Sequence, residues 1–303
     1  MSLDWQILEE NKKKWYKKGF WRGILLSTFL ILIFLFFLKN INLSSNFPHI
    51  ARIEINGLIF DNNDLIKTFD EMLENDNVKA VFVKINSPGG TVVGSESLYL
   101  VINRLSKTKP VIALMGEIAT SGGYVVALAS NYILARQNTL TGSIGVIVEY
   151  QNFSELSKKI GIKVDSIKSG DIKGGQNPLS PLNPLVKMND KKIVDYSFNW
   201  FLSLVRKNRD IDQKVIDFVS DGKTITGGMA KDLGLIDEIG AEREALNYLK
   251  KNNPEFTELN IIDIETSSKG DLIFDRFLNN YSNLNNHFLY FLTNSLKLIS
   301  IAR

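Results

Sequence analysis

Apolar and polar residues alternate along ARIEINGLI (51–59), which predicts a strand with one buried face. In DLIKTFDEMLEN (64–75) the apolar residues recur at helical spacing. VKAVFVKINSP (78–88) is richer in apolar residues and predicts a strand buried on both faces. Gly89 and Gly90 are expected to break it, and ESLYLVINRLSK (96–107) reads as a helix. VIALM (111–115) predicts a third strand, followed by Ser121 and a buried helix in YVVALA (124–129). YILAR (132–136) predicts a short fourth strand. Strands alternating with helices at this interval predict an α/β fold with repeated βαβ units. Farther on, TGSIGVIVEY (141–150) is β-branched and punctuated by glycine. FSELSKKIG (153–161) looks helical and IKVDSIK (162–168) extended. SGDIKGGQNPLSPLNP (169–184) is a loop dense in Gly, Pro, Ser and Asn. DYSFNWFLSLVRKNR (195–209) predicts an amphipathic helix, and GMAKDLGLIDEIG (228–240) a helix, a glycine stop and a short strand-like end.

The two ends of the chain depart from this alternation. Residues 1–22 are polar and basic, with Lys12, Lys13, Lys14, Lys17, Lys18 and Arg22. GILLSTFLILIFLFFL (23–38) then carries no charge. It is slightly shorter than the roughly 20 residues that span a bilayer, and Phe20, Trp21 and a snorkelling Arg22 extend it. The lysine cluster before it predicts an amino terminus in the cytoplasm and everything after residue 39 across the membrane. KNINLSSNFPHI, which follows, offers no small-x-small cleavage site, so a retained single-pass anchor is expected rather than a cleaved signal peptide. The expected organisation is a basic tail and anchor over 1–39, a linker over 40–50, one folded domain over 51–250 and a tail over 251–303. The tail is rich in aromatic residues and asparagine, and a broad apolar helix face over 288–299 would dock on the core, on a partner or on the bilayer.

Composition narrows the chemistry. A net charge of +3 gives no argument for nucleic acid. No cysteine is present, which excludes disulfides, thiolate nucleophiles and thiolate metal sites. The two histidines, His49 and His287, lie at the margins of the predicted domain. A Ser-His-Asp triad would have to recruit one of them, and no Cys/His metal cluster can form. No metal or cofactor is expected.

GEIATSGGYVVALA (116–129) is the stretch around which chemistry can be built. Ser121 lies between a strand and a helix start, with Gly122 and Gly123 behind it. Free N–H groups and the positive end of the helix dipole would face its hydroxyl, as an acyl-transfer nucleophile requires. A plain N-cap serine is the simpler alternative. NSPGG (86–90) also ends a strand, and loops at the carboxyl ends of neighbouring strands converge on one crevice. One N–H from Gly89 or Gly90 and one from Gly122 would then form an oxyanion hole. A serine also needs a base, and a lysine can serve if burial keeps it neutral. Lys173 stands out in its glycine-rich loop, although spacing alone does not select it over Lys168 or Lys187.

NSPGGTVVGSESLY, GEIATSGGYVVALA, LTGSIGV, IKSGDIK and ITGGMAKDLGLIDEIG occur in this order, and together they resemble signal peptide peptidases of the SppA type over about residues 51–247. The resemblance implies a ClpP/crotonase-like fold and a membrane-anchored serine endopeptidase of the short, single-copy form. It implies Ser121 as nucleophile and Lys173 as general base. Ser143 would help hold that lysine, and Gly89 and Gly122 would be the oxyanion donors. It also implies a homo-oligomer whose neighbouring subunits complete each active site. Substrates would be cleaved signal peptides and other apolar peptide segments. After Lys173 the chain departs from the family pattern, with GGQNPLSPLNP in place of a compact turn. Two other classes remain: a crotonase-type acyl-CoA enzyme sharing the paired N–H crevice, and a non-catalytic membrane scaffold of the same fold.

Overall fold

The computed structural model describes residues 25–31 and 47–265. The chain divides into two units, Met1–Pro48 and His49–Arg303. In the first, residues 25–31 are helical. Most of the expected anchor lies outside the described residues, as does the tail from residue 266 onward. Among the described residues no helix is long and apolar enough to cross a membrane.

The second unit is built on a mixed α/β sheet. Its elements in chain order are β1 (His49–Ile59), α1 (Asn63–Glu74), β2 (Val78–Gly90), α2 (Val92–Leu105), β3 (Val111–Thr120), α3 (Gly122–Ala127), β4 (Tyr132–Ala135), β5 (Leu140–Gly142), α4 (Ser154–Lys159), α5 (Pro184–Asn208), α6 (Gln213–Val219), β6 (Thr224–Thr226), α7 (Gly227–Asp232), β7 (Glu238–Ile239), α8 (Glu242–Asn252) and β8 (Asn260–Asp263), with a 3-10 turn over Pro254–Glu258 before β8. The main path of the sheet runs β6-β5-β3-β2-β1-β8, and β4 pairs with β3 and β7. Among the described residues only β5 and β6 pair antiparallel, and every other pairing is parallel.

Strand periodicity explains why both faces are covered. Ala51, Ile53, Val81, Val83, Ile85 and Ala113 point to one side, into a core shared with Phe69 of α1, Leu98 and Ile102 of α2 and Val205 of α5. Ile50, Ala80, Phe82, Ile112 and Leu114 point to the other side, against Ala245 and Leu249 of α8 and Phe256. The sheet also takes in β8, beyond the domain limit expected at residue 250. It pairs with the start of β1, and Arg52 of β1 bonds Asp263 and Glu242 across that edge.

Two strands run farther than their patterns predict. β2 continues through Gly89 and Gly90, which pair with Leu58 and Ile59. A Cβ on Gly90 would lie 1.9 Å from the Ile59 carbonyl oxygen, so this glycine permits close backbone approach instead of ending the strand. β3 runs on through Thr120. In its pairing with β2, Ile85 faces Met115 but Ser87 faces Ala119, so Gly116–Ile118 bulge opposite Asn86. The Asn86 side-chain oxygen accepts the N–H groups of Glu117 and Ile118 at 3.1 and 3.2 Å. The first half of β3 pairs with β4 and the second half with β5. The bulge therefore swings the end of β3, and the residue after it, toward a new neighbour.

Candidate active site

Ser121 follows β3 directly and precedes α3. Its backbone sits at φ 51, ψ −119, a region that costs a side-chain-bearing residue strain. The conformation is held from both sides. The Ser121 N–H donates to the Gly142 carbonyl at 2.8 Å, and the Ser121 carbonyl accepts the Tyr124 and Val125 N–H groups. The Ser121 side chain makes no capping bond to its helix, so the plain N-cap alternative is not what the hydroxyl does here. Behind it, residues 122–129 are all buried, and the Tyr124 hydroxyl donates to the Leu235 carbonyl at 2.8 Å. Burial pushes that phenol well above its ordinary range.

Gly89 packs against this turn. A Cβ on Gly89 would lie 2.8 Å from the Gly122 nitrogen and 3.0 Å from the Ser121 Cβ. Its φ of 108 belongs to glycine. The two expected oxyanion donors and the expected nucleophile therefore converge at the carboxyl ends of β2 and β3. The Thr120 hydroxyl donates to the Pro88 carbonyl at 3.0 Å and ties the two strand ends together. The Gly122 N–H opens α3, where the first amides have no intrahelical acceptor. The Gly89 N–H donates to Ser87 Oγ at 3.0 Å, so an incoming oxyanion must share or take over this donor. A Cβ at Gly122 would meet Ser95 Oγ at 2.2 Å, so the buried Ser95 of α2 forms the floor of the turn.

Ser143 is the other non-glycine residue with positive φ among the described residues, again at 51. It follows Gly142, whose carbonyl holds Ser121, and its own N–H donates to the Lys223 carbonyl at 2.8 Å. Ser121 and Ser143 are thus neighbours across the β3–β5 pairing. Lys173 is placed differently. It lies on an exposed turn in which its N–H donates to the Gly170 carbonyl. No hydrogen bond among the described residues joins its amine to Ser121. Lys168 and Lys187, the other lysines that spacing leaves open, are also exposed.

His49 is buried at the opposite end of the sheet. It pairs with Val78, the first residue of β2, whereas Gly89 lies near the last. At about 3.3 Å per residue the two ends stand roughly 35 Å apart, so no Ser121–His49 pair forms. His287 lies outside the described residues. Among the described residues no group of three or more His, Asp and Glu side chains is placed to hold a metal ion. Sequence patterning did not single out Asn86, Ser87, Ser95 or Thr120. Each is one polar residue whose part depends on strand register, although NSP and TSGG already mark their neighbourhood.

A family model described as peptidase family S49 matches residues 103–254, a span that includes Ser121, Ser143 and Lys173. A putative protease of Methanocaldococcus jannaschii is 34% identical over 197 residues, covering 64% of this chain and 63% of that protein. A putative protease of Synechocystis is 34% identical over 222 residues, covering 71% of this chain and 79% of that protein. A putative signal peptide peptidase of Enterococcus faecium is 29% identical over 238 residues, covering 73% of this chain and 68% of that protein. The match thus spans somewhat under two thirds of the archaeal relative's length and more than two thirds of the other two. With the family model over half of its length and the cyanobacterial relative covered across most of its own, the chain belongs to peptidase family S49.

Proposed function

We propose that the chain is a membrane-anchored serine endopeptidase working through a Ser121–Lys173 dyad on a ClpP/crotonase-like fold. With its exposed turn covered by a neighbouring subunit, Lys173 takes the Ser121 proton as the hydroxyl attacks a peptide carbonyl. The N–H groups of Gly89 and Gly122 hold the oxyanion, that of Gly89 passing from Ser87 Oγ. Lys173 then gives its proton to the leaving amine, and water releases the acyl group. Ser143 helps hold the lysine. The substrates are cleaved signal peptides and other apolar peptide segments, in keeping with the printed name of the Enterococcus relative. The apolar run over 23–38 anchors the chain in the inner membrane, with the amino terminus in the cytoplasm and the catalytic unit outside.

One observation carries this reading: Ser121 is held at a strained φ of 51 with Gly89 packed against its Cβ and the Gly122 nitrogen. Strain of this kind persists where the surrounding structure over-determines it, and it clusters at active sites. A homo-oligomer whose subunits complete each other's sites is part of the proposal. It is supported by the exposed Lys173 turn and by the exposed side chains of Ile147, Ile160, Ile162, Ile167 and Ile172 in the chain segment that leads to it. Exposed apolar residues concentrated on one stretch mark an interaction surface. The test is digestion of a synthetic signal peptide by purified full-length protein. Wild type is expected to cleave it, and Ser121→Ala is expected not to, with an unchanged circular dichroism spectrum. Full turnover by Ser121→Ala overturns the assignment.

A further inference from the structure

Residues 143–153 and 160–183 carry no helix or strand, yet Ser143, Tyr150, Lys173 and Gln176 all lie on them. Without ladder bonds, such segments depend on isolated backbone bonds, such as the Phe153 N–H to the Pro178 carbonyl at 2.7 Å, and on side chains. Asp190, in the first half of α5, supplies the fixing point. It is only 5% exposed. Its Oδ2 accepts the Tyr150 hydroxyl and, at 2.6 Å, Gln176 Nε2. Its Oδ1 accepts Asn189 Nδ2 at 3.3 Å. All of these donors are neutral. A carboxylate offers acceptors only, so it can receive a phenol and an amide together, which a neutral amide side chain does less well. Those bonds hold the Asp190 carboxyl below its usual range, with Tyr150 the largest cause, and hold the Tyr150 phenol above its own.

The Lys173 turn is seated on the same helix by a second contact. A Cβ on Gly175 would lie 2.0 Å from Val186 Cγ2, so the glycine lets the turn lie directly on a residue that is itself buried. The Gly175 N–H donates back to the Ile172 carbonyl at 3.0 Å, which closes the turn around Lys173. Lys173 is thus carried on a short loop whose exit is pinned by Gly175 against Val186 and by Gln176 to Asp190. Tyr150 pins the segment that leaves Ser143 to the same carboxylate.

We propose that Asp190 is a positioning residue for the base, locking the Lys173 turn and the Ser143 segment onto α5 so that they present the amine as one unit. The inference rests on the Ser121–Lys173 reading for its effect on rate, but the tether itself can be read separately.

The experiment exchanges donor and acceptor in the full-length protein. In Asp190→Asn the charge is lost and an N–H₂ takes the place of Oδ1, so the remaining neutral oxygen receives Tyr150 and Gln176 more weakly and the new N–H₂ faces the Asn189 amide. In Gln176→Glu, two carboxylates face each other. In the double variant Asp190→Asn/Gln176→Glu, the new amide donates to the new carboxylate and still accepts from Tyr150. Each single change is expected to lower kcat about tenfold or more with KM within about twofold, because a misplaced base loses rate before binding. Amide hydrogen exchange over 170–177 is expected to speed up in parallel, and the double variant is expected to recover both. Tyr150→Phe removes one donor without adding repulsion. It is expected to act in the same direction, and it serves as the test should Asp190→Asn fail to fold. Wild-type kcat and exchange in the single variants and in Tyr150→Phe overturn the proposal, as does a double variant no better than either single. Ser121→Ala and Lys173→Ala are measured alongside. Turnover by those two sinks the dyad, while exchange over 170–177 still decides the tether.

Discussion

The serine side and the lysine side of the proposed site are built by different means. Ser121, Gly89 and Gly122 stand on the ends of β2, β3 and α3, and the layer beneath them is buried. Their geometry follows from strand register, a bulge and close glycine contacts within one chain. Lys173 stands on a loop whose neighbours, Ile160, Ile162, Ile167 and Ile172, are exposed. Its local shape comes from a few side-chain bonds to Asp190 and a glycine seated on Val186. The proposed nucleophile and its proposed oxyanion donors are therefore set by folding. The base segment keeps apolar surface for a further contact, which on the proposed reading is a neighbouring subunit.

The sharpest way to probe the serine side is Ser121→Ala, expected to cut peptide hydrolysis on the order of 10⁴-fold or more with the fold retained. Ser121→Gly should be as inactive and no less heat-stable than wild type, because glycine relieves the strained backbone. A melting scan beside the assay checks both. Next in size, Gly122→Ala brings a Cβ to 2.2 Å from Ser95 Oγ and disturbs an oxyanion donor. A loss of about 100- to 1000-fold in kcat is expected in steady-state kinetics.

Stability separates the two regions from another side. Phe82→Ala empties a fully buried position on β2 and should cost about 3–5 kcal/mol in denaturant unfolding. Ile167→Asp, at a fully exposed position beside Lys173, should leave the unfolding of the isolated chain unchanged. On the assembly reading it should weaken self-association in sedimentation and lower activity with it. If Ile167→Asp destabilises the isolated chain as much as Phe82→Ala, the contrast between the regions collapses.

The smallest effect lies at the far edge of the sheet, where Arg52 holds the Asp263 carboxyl below its usual value of 3.8. The folded state lowers that pKa, so its stabilisation is present above the ordinary value and is lost as pH falls through the lowered one. The Asp263 side chain is 63% exposed, so the gain is below about 1 kcal/mol. Melting curves of Asp263→Asn and wild type should differ slightly at neutral pH and converge in acid.

The central elements were legible because their signals are local. Alternation in ARIEINGLI and the dense apolar run in VKAVFV found β1 and β2, and helical spacing found α1 and the second half of α5. The first half of α5, residues 185–194, falls between the predicted loop and the predicted helix and is assigned to neither. It opens at Pro184 with Asn183 capping the Leu185 N–H, and its early turns, around Lys191, Lys192 and Asp195, bury few apolar residues. β6 and β8 are short strands that exist through pairing with β5 and β1, so their own residues carry little signal. In the site, glycine pairs beside a serine marked Gly89, Ser121 and Gly122. The part played by Ser87 depends on where its hydroxyl lands relative to the Gly89 N–H, and that of Asn86 on a bulge in the opposite strand. Asp190 could not be read beforehand, because its partners are brought together only by the tertiary fold.

The most direct test of a serine side made in one chain and a lysine side completed by its neighbour is subunit mixing. Ser121→Ala and Lys173→Ala proteins, each inactive alone, are co-assembled in equal amounts and assayed on a synthetic signal peptide. Sites that take serine from one subunit and lysine from another should return roughly a quarter of wild-type activity. Mixed oligomers that form, as shown by affinity tags, yet stay inactive would contradict the account.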